Sequence, residues 1–117
     1  MSRPLTEAEK GVIRAVAERL PPDRQRQLLV DLERAAARPA TSDSARVCFE
    51  IAGYERPPYR GQHSFGVEGE LLDKDGAKLA FDLFADENDR LLELELIRWG
   101  VGDLIDPDWT SLKLYPD

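Results

Sequence analysis

Two groups of side chains have the types and spacing to do chemistry. Glu68, Glu70, Asp82, Glu93 and Glu95 occur at alternate positions of stretches with a two-residue period, which places their carboxylates on one face of a sheet. Tyr54, Arg56, Tyr59, Arg60 and His63 crowd into "GYERPPYRGQHSFG", residues 53 to 66, together with two prolines. Carboxylate clusters can run acid–base chemistry, hold a hard cation, receive a basic protein surface, or stand solvated beside lysines and arginines such as Lys78, Arg98 and Lys113. Acid–base work needs a cleft that keeps one carboxyl protonated, and the outer face of a small sheet is open. Calcium needs roughly 6 to 8 oxygens converging on one point, which flat sheet rows do not supply. A docking face for a cationic partner is the functional reading that survives.

The loop residues have two readings. Tyr and Arg are enriched at binding hot spots, and they also pin long loops, because tyrosine rings bury while arginines in an acidic chain find carboxylates. A concave pocket lined by Arg56, Arg60 or His63 would favour a ligand, whereas a flat acidic face over a filled core would favour a protein partner. His63 beside Ser64 is not a base and its nucleophile: adjacent strand residues point to opposite faces, and no G-x-S-x-G turn surrounds the serine. The acidic turns "DKDG" and "DENDR" depart from a calcium loop at Ala77 and Leu79 in the first and at Arg90 and Leu91 in the second. With one cysteine, Cys48, and one histidine, neither a disulfide nor a typical zinc site can close, so no metal or cofactor is implied.

These residues need elements to hold them. Thr6 and Glu9 have capping-box spacing, and Ala8, Val12, Ile13, Val16, Ala17 and Leu20 form one apolar stripe that stops at Pro21-Pro22. Asp23 reads as a second cap, before a stripe of Leu28, Leu29, Leu32, Ala35 and Ala36 ending ahead of Pro39. A helical hairpin is therefore expected over 6–37, a linker over 38–45 and a sheet over 46–115, all in one domain. Strands centre on Val47–Ile51, Phe65–Leu72, Leu79–Leu83 and Leu92–Leu96, and the C-terminal "DWTSLKLY" is either a fifth strand or an irregular segment. A three-residue Lys74-Asp75-Gly76 loop sets Leu71 opposite Leu79 and Gly69 opposite Phe81. Pairing Leu83 with Leu92, Phe81 with Leu94 and Leu79 with Leu96 keeps the next hairpin's apolar residues on the same face, with the turn at 86–89. The outer face then carries Glu68, Asp82 and Glu93 in one row, Glu70 and Glu95 flanking Ala80 in the next, and apolar Leu72, Phe84, Leu91 and Ile97. The expected architecture is α+β, with an antiparallel helical hairpin on one face of a four- to five-stranded antiparallel meander.

Of 117 residues, 42% are hydrophobic and 33% charged, and no apolar run approaches the roughly 20 residues that cross a bilayer. The net charge of -7 is uneven: residues 1 to 38 hold eight Lys and Arg against six Asp and Glu, and the remainder hold eight against seventeen. So acidic a body argues against nucleic acid as partner. The order "RPLTEAEK", "FGVEGELLDKDG", "LFADENDRLLELELIRWG" resembles small uncharacterised bacterial families, some of which look like immunity proteins encoded beside polymorphic toxins. That resemblance implies a bacterial, cytoplasmic, non-enzymatic protein with a protein partner; the acidic charge makes the expected partner a basic protein, such as a cognate toxin, and a homodimer stays open. The alternative is a small-molecule-binding or hydrolytic domain with a pocket between helices and sheet near residues 54–63.

Overall fold

The computed structural model of the protein describes residues 2–41, 45–58 and 61–115, which form two helices and one six-stranded antiparallel sheet. Helix α1, Glu7–Ala17, starts at the expected capping box: Thr6 Oγ1 accepts from Glu9 N at 3.1 Å and Thr6 N donates to Glu9 Oε1 at 2.8 Å. Helix α2, Pro22–Arg34, is not capped by Asp23. Pro21 is its N-cap and Pro22, which has no N–H to satisfy, takes the first helical position, leaving Asp23 in the first turn. The helix also stops short of Ala35 and Ala36. Residues Ala35–Pro39 form strand β1, paired along β2 (Arg46–Ile51) from Ala35 opposite Ile51 to Pro39 opposite Val47. Pairing with β2 and the complete burial of Ala37 override alanine's helix preference here, the strongest of any residue but worth well under about 1 kcal/mol per position. Of the linker expected over 38–45, residues 38 and 39 belong to β1, and 42–44 lie outside the described residues.

The remaining strands are β3 (His63–Leu72), β4 (Lys78–Ala85), β5 (Leu91–Arg98) and β6 (Asp108–Tyr115), in the order β1-β2-β5-β4-β3-β6. The central β3-β4-β5 meander is as expected. Strand β2 joins it beyond β5, so β5 and β4 lie between β2 and β3, and the C-terminal segment supplies a sixth strand at the far edge. The helices and the inner sheet face share one core, in which Val12, Ile13, Val16 and Leu28 meet Val47, Phe49, Phe81 and Leu83.

The first hairpin has the expected register, with Leu71 opposite Leu79 and Gly69 opposite Phe81. Gly69 is required by that pairing, since a Cβ there would stand 1.8 Å from Phe81 Cε1. The second hairpin is displaced by two residues: Leu83 faces Leu94 and Phe81 faces Leu96. Its turn causes the displacement. Asp86 N donates to Arg90 O at 2.9 Å, Asp89 N to Asp86 O at 3.0 Å, and Asp89 takes a φ of 61°, closing a three-residue loop like the one at 74–76. Continued without interruption, that closure would set Glu93 opposite Leu83 on the core face. A bulge at Leu92 prevents this, so that Ala85 pairs with Leu91 and Phe84 with Glu93. Leu91 is fully buried rather than on the outer face, and Leu92 leaves the core to line an outer cleft.

Candidate functional site

The register fixes the outer rows. One runs Arg46–Glu95–Asp82–Glu68–Tyr115 across five strands, and its neighbour runs Ile97–Ala80–Glu70–Lys113. The carboxylate row is therefore Glu68, Asp82 and Glu95, not Glu68, Asp82 and Glu93, and Ala80 is flanked by Glu70 and Ile97 rather than by Glu70 and Glu95. Glu93 instead lies between Cys48 and Phe84 and is 3% exposed. Arg46 Nη2 donates to Glu93 Oε1 at 2.7 Å, and Arg46 Nε stands 3.9 Å from Glu95 Oε2, so one guanidinium answers both. Burial, then the Glu93 charge, pushes the Cys48 thiol up and keeps it protonated.

Among the described residues, Glu68, Glu70 and Asp82 have no such partner. They rim a groove of about 280 Å³ floored by Ala80 and walled by Ile97, Trp99 and Tyr115, residues that are 53%, 59% and 42% exposed. Asp82 is half-buried. Burial first, and Glu68 after it, push its carboxyl above the usual range, against the pull of the Ser64 hydroxyl that donates to Oδ1 at 2.6 Å. Trp99 and Tyr115 escape a reading by sequence because Tyr115 reaches the groove only through its pairing opposite Glu68.

Of the loop residues, Tyr54, Arg56 and His63 are pinned. Tyr54 Oη donates to Asp86 Oδ2 at 2.6 Å; Arg56 donates from Nη1 to the same oxygen at 2.9 Å and from Nη2 to Phe49 O at 2.7 Å. Asp86 is 4% exposed, and its other oxygen accepts from Asn88 N and Arg90 N. Arg90 lies 4.1 Å over the Tyr54 ring and donates to the fully buried Asp31 at 2.8 and 3.0 Å, which ties helix α2 to the turn. His63 Nε2 lies 2.6 Å from Asp89 Oδ1, while Ser64 serves Asp82, so the two share no proton path. Tyr59 and Arg60 lie outside the described residues. A second cleft of about 320 Å³, lined by Arg38, Cys48, Glu50, Arg56, Pro57 and Leu92 among others, opens on the outer face beneath the connector and not between helices and sheet.

Arg98 does not relieve the carboxylate row. It donates to Asp73 Oδ2 at 2.7 Å and to both oxygens of Asp75, and its hydrogen bonds hold the Asp75 carboxyl at about 2. Asp73 also accepts from Ile105 N and Asp106 N, which fastens the segment between β5 and β6 to the first turn. Among the described residues, no group of three or more His, Cys, Asp or Glu is arranged to hold a metal ion, and no helix is long and apolar enough to cross a membrane.

A family model described as a domain of unknown function, DUF6984, matches residues 2–107, which takes in both helices and strands β1 to β5. No curated protein and no solved structure matches the chain.

Proposed function

We propose that this chain, which belongs to the DUF6984 family, is a non-enzymatic protein-binding module that presents its acidic outer sheet face to a basic protein. The observation that carries this reading is the groove at Glu68, Glu70 and Asp82: three carboxylates without an ion pair among the described residues, beside two half-exposed aromatic rings. Aromatic anchors inside a charged rim are the composition of a protein-recognition hot spot. A cationic toxin of the kind that immunity proteins neutralise is one such partner, and a single cysteine, which cannot close an intramolecular disulfide, suits the reducing cytoplasm. The alternative of a small-molecule or hydrolytic domain draws on the cleft beside Arg56. It has less behind it, because that guanidinium is already committed to Asp86 and to the Phe49 carbonyl.

The test is capture and identification of a basic partner, followed by stopped-flow kinetics with wild type and with Glu68→Lys/Glu70→Lys. Raising salt from about 0.01 to about 0.15 M shortens the Debye length from about 30 to about 8 Å, so the on-rate should fall markedly and the off-rate less. Both substituted side chains are exposed, so the fold should survive. A partner bound equally well by the double variant, and equally fast at both salts, would sink the reading.

A further inference from the structure

Among the described residues, each carboxylate that the fold draws away from solvent, with a single exception, is met by an arginine of the same chain. Arg3 reaches Glu9 at 2.9 Å, Arg90 reaches Asp31 at 2.8 Å, and Arg98 reaches Asp73 at 2.7 Å. Arg56 reaches Asp86 at 2.9 Å, and Arg46 reaches Glu93 at 2.7 Å and Glu95 at 3.9 Å. The exception among the described residues is Asp82. It is half-buried, its cross-strand neighbours Glu68 and Glu95 are acidic, and its one polar side-chain partner is the Ser64 hydroxyl. Ordinary packing does not explain that omission, because a cation near Asp82 would relieve both its partial burial and its like-charged neighbours.

The groove beside Asp82 offers what an arginine uses elsewhere in this protein. Arg90 lies over the Tyr54 ring while it donates to Asp31, combining an aromatic face with a carboxylate. Of the groove's three carboxylates, Asp82 and Glu68 face each other across β3 and β4, and the aromatic walls are Trp99 and Tyr115. We infer that this groove receives an arginine side chain of the partner, its guanidinium set against Trp99 or Tyr115 and donating to Asp82 and Glu68. A guanidinium fits better than an ammonium, because it is planar, stacks on aromatic faces, is weakly hydrated and can donate to two oxygens at once. The inference rests on the basic-partner reading and narrows it to one side chain and one place.

The test needs no identified partner. The ¹⁵N-labelled full chain is titrated with N-acetyl-arginine amide, N-acetyl-lysine amide and the neutral isostere N-acetyl-citrulline amide, following the Trp99 indole N–H and the backbone amides of residues 68, 82, 97 and 115. Arginine amide should give saturable shifts confined to these signals, with citrulline weaker by about fivefold or more, since the charge-assisted part of each hydrogen bond is gone. The exposed Trp99→Ala and the near-isosteric Asp82→Asn should each abolish the response while their spectra elsewhere stay native. Equal responses to arginine and citrulline, or shifts only outside the groove, overturn the inference. Equal responses to arginine and lysine at the groove overturn the arginine assignment and leave the basic-partner reading standing. If the groove ignores all three probes while Glu68→Lys/Glu70→Lys still releases a captured basic partner, the groove falls and the acidic face stands.

Discussion

Asp82→Asn should stabilise the protein at neutral pH. In the folded chain Asp82 is half-buried and faces Glu68 on one side and Glu95 on the other, so burial and then the Glu68 charge raise its carboxyl above the unfolded value. For an acid, a raised folded pKa means that ionisation costs stability. The cost is fully present above the folded pKa and disappears as pH falls towards the unfolded value of about 3.9. Cross-strand like-charge terms run to about 0.2–1 kcal/mol, and solvent reaches this site enough to keep the gain in the lower half of that range. The Ser64 hydroxyl can donate to an asparagine carbonyl as it does to Oδ1, so the substitution strands no donor. Urea unfolding of both proteins at pH 7 and pH 4 tests this: the variant should be about 0.5 kcal/mol more stable at pH 7, and the difference should shrink at pH 4. The comparison must be between the two proteins. Asp73, Asp86 and Glu9, whose carboxyls the fold lowers despite burial, contribute stability that is lost as pH falls and so oppose the Asp82 trend in either protein alone. A destabilised variant at pH 7 would refute the argument, because it would mean that the Asp82 charge is satisfied in the fold.

Two further substitutions probe the frame that holds the groove. Arg56→Ala strips the buried Asp86 of its guanidinium and should lower the melting temperature by several degrees, about 1 kcal/mol or more for a domain of this size; an unchanged melting curve would make Arg56 free to serve a ligand. Gly69→Ala places a Cβ 1.8 Å from Phe81 Cε1 and should cost about 1–3 kcal/mol, partly recovered by Phe81→Leu; full stability of the single variant would contradict the register of the first hairpin.

Local chemistry was legible wherever a residue acts on its immediate neighbours. The Thr6–Glu9 box, the left-handed Gly76 and the Leu71–Leu79 pairing each follow from a few consecutive residues, and each is present. What escaped were consequences of distant partners. Ala35 and Ala36 have a helical pattern, but they become strand because β2 lies beside them and Arg3 closes their outer edge, with Arg3 N donating to Ala37 O at 2.8 Å. The order of strands placed β2 beyond β5, which no local pattern encodes.

The site depended on a smaller detail. Apolar alternation over Leu94 and Leu96 is satisfied equally by the pairing expected and by one shifted two residues along, since either keeps those two side chains inward. The turn decides between them. Asp86 binds the amides of Asn88 and Arg90 through Oδ1, closes the loop at Arg90, and thereby obliges the strand to bulge at Leu92 before its leucines can face the core. That one extra residue moves Glu93 under Arg46 and out of the acidic row, brings Glu95 beside Asp82, and sets Ile97 beside Ala80 at the groove floor. The acidic turn read as a hairpin rather than a cation loop thus sets the outer face three strands wide, through the register that leaves Asp82 as the half-buried carboxylate that no arginine of the described chain reaches.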